Sequence, residues 1–466
     1  VSKIRGVTSY GMLCSEAELK LSVESEGITE LSRNKYESKI GKNYFSNNAP
    51  KVIDLSITPN RADCLGVRGI ARDLASAGFG ELKPLNIKNV KGTFKSPKKF
   101  VISDELLEKK LVPVVTSRYF KNLNNSKSPK WMQQRLEAIG QRPISALVDI
   151  TNYIMFDLNR PLHAYDGSKI EGDKLEIRFA KNNEKINTLN EKDYFLSNED
   201  IIIADAEGAD DLAGIMGGMR TGVSDETTEM FLEIAVFDPI SVSKTGRKIN
   251  LISDARYRFE RGIDPSFTKA GLEYYTKLAL DLFGGEPSNL VISGKNPHIP
   301  KKFKMDHAKV EKITGIKIKI EKQIDILSKL GFTVENKNRS LTVHVPSWRP
   351  DVSGEIDLVE EVIRVTSLNK LNSTPLPRND FGVSVNKINK RQRNISKIRR
   401  FLASNGLKET INYSFIDKES AEIFCDDKDL VMLSNSISKE MTNLRPSLIP
   451  GLLDVVKKNQ ARGLND

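Results

Sequence analysis

Asp351, Asp357, Glu360 and Glu361 crowd four carboxylates into one short stretch of a 466-residue chain. If a helix starts near Gly354, positions 357, 360 and 361 fall at i, i+3 and i+4 and share a face. Asp351, just ahead of it, then folds back towards them. An all-oxygen donor set suits a hard cation such as Mg²⁺ rather than zinc. The competing reading is that acids near a helix N-terminus complement its dipole, and spacing alone favours that one. A second group centres on His163, in Arg160-Pro161-Leu162-His163-Ala164-Tyr165-Asp166, with Thr151-Asn152 upstream after an apolar run. A lone His is more often satisfied structure than a catalyst, and Thr-Asn there also reads as a helix cap. Glu233 sits inside Phe231-Leu232-Glu233-Ile234-Ala235-Val236-Phe237. A carboxylate in such surroundings is costly unless paired. It is either salt-bridged structure, the commoner case, or a recognition group. Gly214-Ile215-Met216-Gly217-Gly218 follows a short acidic turn and Leu212-Ala213. No Gly-Lys-Ser/Thr follows it, so it is not a phosphate-binding loop. Its glycines permit a tight turn or close backbone approach to a ligand. No Ser nucleophile elbow, Cys–His signature or His-Glu-x-x-His is present.

Elements that position these residues come from periodicity. Lys51–Ile57 alternates and reads as a strand, Thr58-Pro59-Asn60-Arg61 as a turn, and Leu65–Ala77 as a helix. A helix from Pro129 carries Met132, Leu136 and Ile139 and ends at Gly140. Leu175, Ile177 and Phe179 alternate, 201–204 is a buried strand, and 267–283 is a long amphipathic helix. Residues 306–314 and 320–330 read as helices. A hairpin around Asn336–Arg339 follows, then a helix over 356–365, a pattern compatible with a winged helix or another small α+β module. Residues 387–400 form a basic helix and 411–415 a strand. Lys- and Pro-rich stretches at 88–99, 294–303 and 372–390 read as linkers.

Length alone suggests about three domains. The 39% hydrophobic content excludes general disorder, and no apolar run approaches the roughly 20 residues of a membrane span. Lys plus Arg number 72 against 61 Asp plus Glu, a net charge of +11 that makes a polyanion a plausible partner. Cys14, Cys64 and Cys425 are too few and too widely spaced for a disulfide framework or a Cys-x-x-Cys zinc site, which fits a reducing cytoplasm. The missing initiator Met and the ending at Asp466 lead us to expect truncation at both ends.

Several motifs occur together in one order. They are Gly11-Met12-Leu13-Cys14-Ser15-Glu16, Ile57-Thr58-Pro59-Asn60-Arg61-Ala62-Asp63-Cys64-Leu65 and Val67-Arg68-Gly69-Ile70-Ala71-Arg72. Asp149-Ile150-Thr151-Asn152-Tyr153, the His163 heptapeptide, Ala213–Gly218, Ser253–Gly262 and Pro346-Ser347-Trp348-Arg349-Pro350-Asp351 complete the set. Together they resemble the β subunit of bacterial phenylalanyl-tRNA synthetases. The resemblance implies an α+β multidomain chain. Residues 1–40 would be the end of an OB-like tRNA-binding domain, 41–95 a small α/β domain, 96–295 an editing domain and 300–372 a winged-helix-like domain. Residues 376–466 would start a catalytically inactive class II synthetase-core-like domain.

Such a chain would work with an α subunit in an α₂β₂ tetramer. The ATP-dependent attachment of Phe to its tRNA would occur at the α-subunit site. The β chain would bind phenylalanine tRNA and hydrolyse mischarged Tyr-tRNA. By resemblance Glu233 reads the tyrosine phenol, while His163, Thr151 and Asn152 lie near the ester and the terminal adenosine. Gly217 and Ala255 form walls, and Ser253 stands where relatives often have Thr. Asp351, Asp357, Glu360 and Glu361 match a structural Mg²⁺ site near the α–β interface. A freestanding hydrolase would need neither the acidic group nor the core-like segment. A nonenzymatic RNA- or DNA-binding protein would hydrolyse no ester.

Overall fold

The computed structural model describes residues 2–4, 7–19, 25–33, 37, 52–337, 339–366, 368–373, 375–377, 388–426 and 429–464. The chain divides into two compact units, residues 1–372 and 373–466.

Two sheets dominate the first unit. The first is built from β1 (Lys99–Ile102), β4 (Lys174–Phe179), β5 (Ile201–Ala204), β6 (Ala209–Leu212) and β7 (Met216–Gly217), in the order β7-β6-β5-β4-β1. Only its β1–β4 pair is parallel. The second runs β9-β2-β8-β3, from β2 (Val114–Lys121), β3 (His163–Asp166), β8 (Met230–Val236) and β9 (Glu286–Pro287). Strand β10 (Val291–Gly294) also pairs with β2. β8 is covered on both faces, which explains why its residues are apolar apart from Glu233. Phe231 and Ala235 join Phe100, Tyr165, Ile177 and Ile203 in the core between the sheets. Met230, Leu232 and Ile234 turn the other way, onto Ile150, Leu272 and Tyr275. Those residues belong to α3 (Ala146–Leu158) and α6 (Thr268–Phe283), which with α2 (Lys130–Ala138) form a helical layer. Glu233 shares the strand parity of Phe231 and Ala235 and so belongs to the inter-sheet face.

A smaller sheet, β11-β13-β12, comes from Lys301–Asp306, Ser340–Val345 and Thr333–Lys337. Helices α7 (Lys309–Thr314), α8 (Ile320–Lys329) and α9 (Glu355–Thr366) accompany it around a core of Met305, Leu327, Val343 and Leu358. The expected hairpin is therefore two strands of three. The third, 301–306, begins in the 294–303 stretch read as linker and ends on the first residue of the expected 306–314 helix: five of its six residues are not buried, so its sequence looks like loop.

The stretch read as the first linker is likewise docked. Val90 donates its amide to Glu273 and its carbonyl accepts from Arg118, while Thr93 N–H donates to Pro287 O. Arg118 and Glu273 form a buried ion pair at 3.0 Å. Lys88, Lys91, Lys95 and Lys99 are exposed while the backbone is in use, and Lys98 Nζ donates to Ile170 O.

Two further expectations differ. Residues 52–57 form no strand, and Lys51 lies outside the described residues. Thr151 and Asn152 lie inside α3 rather than at a cap. The cap positions are Ser145 and left-handed Asn159, and Thr151 Oγ1 donates back to Val148 O at 2.6 Å.

Helix α1 (Val67–Ser76) of the same unit is tied to α9 by charge. Arg364 donates to both Asp73 oxygens and to Glu361, Arg349 bridges Glu361 and Asp351, and Arg61 bridges Asp63 and Asp73. Arg72 lies over the Trp348 ring at 4.4 Å.

The second unit carries helix α10 (Lys390–Ser404), closed by a capping box from Asn389 and Gln392, and helix α11 (Ile449–Gln460). A two-residue pairing of Phe415–Ile416 with Asn443–Leu444 replaces the expected strand at 411–415. Ile395, Ile398, Phe401 and Leu402 on α10 are 41–66% exposed, an apolar face left uncovered within this unit. Among the described residues no helix is long and apolar enough to cross a membrane.

Candidate functional site

Register brings the site together. In the β8–β3 pair Glu233 stands directly opposite His163, so their side chains are neighbours on one face. In the β6–β7 pair Asp211 stands opposite Gly217. Gly217 lies hard against the imidazole: a Cβ there would approach His163 Cε1 to 2.3 Å. Gly214, just before β7, has φ +71°, and a Cβ on it would strike Phe237 at 2.8 Å. Glycine at 217 thus serves close approach, and at 214 the turn itself.

A cavity of about 70 Å³ opens among these residues. Its lining includes His163, Asp211, Gly217, Glu233, Ala255 and Phe259. Ala255 comes from α5 (Asp254–Phe259), whose N-cap is Ser253. Ser253 Oγ accepts from Arg256 N at 3.0 Å and donates to Ile215 O at 2.6 Å. This one hydroxyl starts the helix and ties it to the glycine turn. Ser253→Ala should therefore cost about 1 kcal/mol of stability and loosen the Ala255 wall, whereas Ser253→Thr should retain both bonds. Thermal unfolding of the two variants checks this.

Electrostatics follow burial. Glu233 Oε1 and His163 Nε2 are both buried without a hydrogen-bond partner. Burial, reinforced by Asp211 and opposed by Arg160, pushes the Glu233 carboxyl up to about 8. Burial holds the His163 imidazole down to about 4, so it is neutral at pH 7. Its 3.9 Å approach to Asp211 Oδ2 is accordingly no ion pair. Arg160, fully buried, donates to Ala235 O at 3.2 Å and to Asp264 O, fixing the entry to β3.

Of the residues singled out in the sequence, His163, Gly217, Glu233 and Ala255 converge on the cavity, and Ser253 supports its wall. Thr151 and Asn152 do not line it. Asp211 and Tyr165 were missed. Asp210-Asp211 reads as an acidic turn because Asp is depleted in strands, yet it forms β6. Tyr165 lay within the His163 heptapeptide, and its hydroxyl donates to Asp211 at 3.0 Å.

The acidic group is engaged elsewhere. Both Asp351 oxygens accept from Arg349. Asp357 accepts from the amides of Ser353 and Gly354 at the start of α9, the dipole-complementing role open from sequence. Glu361 is buried between Arg349 and Arg364, which hold its carboxyl down to about 2. Three of the four carboxylates thus accept from arginines or backbone amides, and Glu360 is exposed. Among the described residues no His, Cys, Asp and Glu group is arranged to hold a metal.

Residues 111–284 match the model of the B3/4 domain, and residues 303–367 that of the tRNA synthetase B5 domain. Residues 379–466 match the phenylalanyl tRNA synthetase beta chain CLM domain. The architecture is thus that of an aminoacyl-tRNA synthetase chain. The phenylalanine–tRNA ligase beta subunit of Ruegeria pomeroyi is 46% identical over 469 residues, covering 100% of this chain and 58% of that protein. Its namesake from Cereibacter sphaeroides is 47% identical over 463 residues, covering 99% and 57%, and that from Brucella suis 44% over 466, covering 100% and 58%. The chain belongs to the family of phenylalanine–tRNA ligase beta subunits, and it spans less than three fifths of the length of these curated relatives. A solved N-terminal fragment of the phenylalanyl-tRNA synthetase beta-subunit from Pyrococcus horikoshii is a distant likeness, with a TM-score of 0.36 at 15% identity over 67% of this chain and 85% of that one.

Proposed function

We propose that this chain is the editing and tRNA-binding portion of a cytoplasmic phenylalanine–tRNA ligase, hydrolysing mischarged Tyr-tRNA at the His163–Glu233 cavity. One observation carries the reading: a buried carboxyl with an unpartnered oxygen faces a small cavity beside a neutral imidazole. A synthetic pocket shaped for Phe rejects an added hydroxyl only about 10²-fold. A second site built to hydrogen-bond that hydroxyl can do better, because binding Phe would leave its polar group unpaired. Glu233 supplies such a group.

In the hydrolysis a water oxygen bonds the ester carbon, the ester C–O bond breaks, and the tRNA hydroxyl leaves with a proton. His163, neutral and pinned by Gly217 and Tyr165, is too weak a base at pH 7 to carry that proton alone. Its role is to orient the ester, with the water activated by backbone groups and the tRNA's own hydroxyl. Thr151 and Asn152, outside the cavity, are assigned to the terminal adenosine. ATP-dependent attachment of Phe belongs to the α partner of an α₂β₂ assembly, and the uncovered face of α10 is ascribed to contacts with the rest of that assembly. The magnesium expected at Asp351, Asp357, Glu360 and Glu361 is proposed as structural, apart from the hydrolysis.

The test presents Tyr and Phe esters, both on phenylalanine tRNA, to the full-length protein in its native complex. Tyrosyl ester should be lost at least about 10²-fold faster than phenylalanyl ester. Equal loss of both, or of neither, overturns the reading.

A further inference from the structure

We propose that Asp211 is a second phenol-reading group of the cavity, acting with Glu233 so that the substrate hydroxyl donates to one carboxyl and accepts from the other. This rests on the editing reading above and deepens it.

Geometry comes first. Asp211 and Glu233 line the same cavity from different sheets, β6 and β8. Asp211 is 5% exposed and Glu233 4%. Tyr165 OH donates to Asp211 Oδ2 at 3.0 Å and so fixes the carboxyl's orientation. The Tyr165 ring meets the His163 ring edge-on, with centroids 4.4 Å apart, so one tyrosine sets both neighbours of Glu233.

A phenol hydroxyl is one donor and an acceptor. A lone carboxylate satisfies only the phenol's proton and gives its oxygen no donor. Two nearby carboxyls that cannot both ionise share a proton and offer one donor and one acceptor. The groups facing the pair point the same way. Burial pushes Asp211 up to about 8, helped by neighbouring Asp210 and opposed by the Tyr165 hydrogen bond. Glu233 rises to about 8 with Asp211 among its causes, while Arg160 opposes it and His163 brings no charge. The pair therefore retains a proton at pH 7 and loses it as pH climbs past about 8. Above that, two anions face the phenol and its oxygen has no donor, so preference for tyrosine falls.

The experiment measures the Tyr-to-Phe ratio of ester hydrolysis from pH 6 to 9, with the full-length protein in its native complex and spontaneous hydrolysis subtracted. The wild-type ratio should drop above about pH 8. Asp211→Asn keeps a non-titrating donor and an acceptor for Tyr165, so that drop should disappear. Asp211→Leu removes the donor and should lower the ratio at pH 7 about tenfold or more. A flat wild-type profile, or an Asp211→Asn profile that superimposes on wild type, overturns the proposal even if Asp211→Leu fails to fold. Failure of the wild type to hydrolyse tyrosyl ester at any pH would instead remove the editing reading itself.

Discussion

Glu233→Ala lowers the Tyr-to-Phe ratio of ester hydrolysis by about 10²-fold, because the phenol then loses its main partner and an unhydroxylated ring leaves no Glu233 carboxyl unpaired. The stability change takes the opposite sign from most core substitutions if glutamine is used instead. The folded-state carboxyl sits near 8, above its value in the unfolded chain. Its contribution to stability is fully present below about pH 4.5 and is lost as pH rises towards 8, since the unfolded chain ionises first. Glu233→Gln does not titrate, so at pH 8 it should be more stable than wild type, by on the order of a few kcal/mol. Paired ester-hydrolysis and thermal-unfolding measurements on both variants test this. A Gln variant less stable than wild type at pH 8 would show that Glu233 is structurally paired.

Arg349→Met is the largest expected loss of stability. It leaves Glu361, 2% exposed, with Arg364 alone and strips both bonds from Asp351. Breaking a buried pair on one side costs about 3–5 kcal/mol. The pH dependence has the reverse sign to Glu233. Glu361 is held near 2, so its stabilisation is complete above about pH 4.5 and drains as pH falls towards 2. With Arg349 gone that acid-side loss should shrink. Hydrogen exchange of α9 amides at pH 4 and 7 reads both effects. Unchanged protection at pH 7 would mean Arg349 is dispensable.

Much of the helical layer is legible because its faces follow a 3.6-residue period, as in 268–283 and 320–329. The strands are harder. β8 is buried on both sides, so its apolar run cannot reveal that Glu233 faces the other sheet. Only register puts it opposite His163, and register is a non-local property. Asp211 is invisible for the same reason: its meaning lies in Tyr165, 46 positions away. The acidic group at 351–361 is a different case. Its spacing is legible, but spacing does not single out Arg349 and Arg364, which donate to Asp351 and Glu361. The docked 90–93 stretch was hidden by the mostly exposed lysines around it.

Strand β2 has a consequence for biosynthesis. Seven of its eight residues are buried, and its partners β8, β9 and β10 all lie far downstream, out to Gly294. At roughly 5–20 residues per second, the ribosome needs on the order of ten to thirty seconds after Lys121 to make Gly294. Until β8 is made, a nascent strand with Val114, Val115, Tyr119 and Phe120 has no partner in this sheet, and β9 and β10 complete it only at Gly294. The domain cannot close vectorially from its N-terminus.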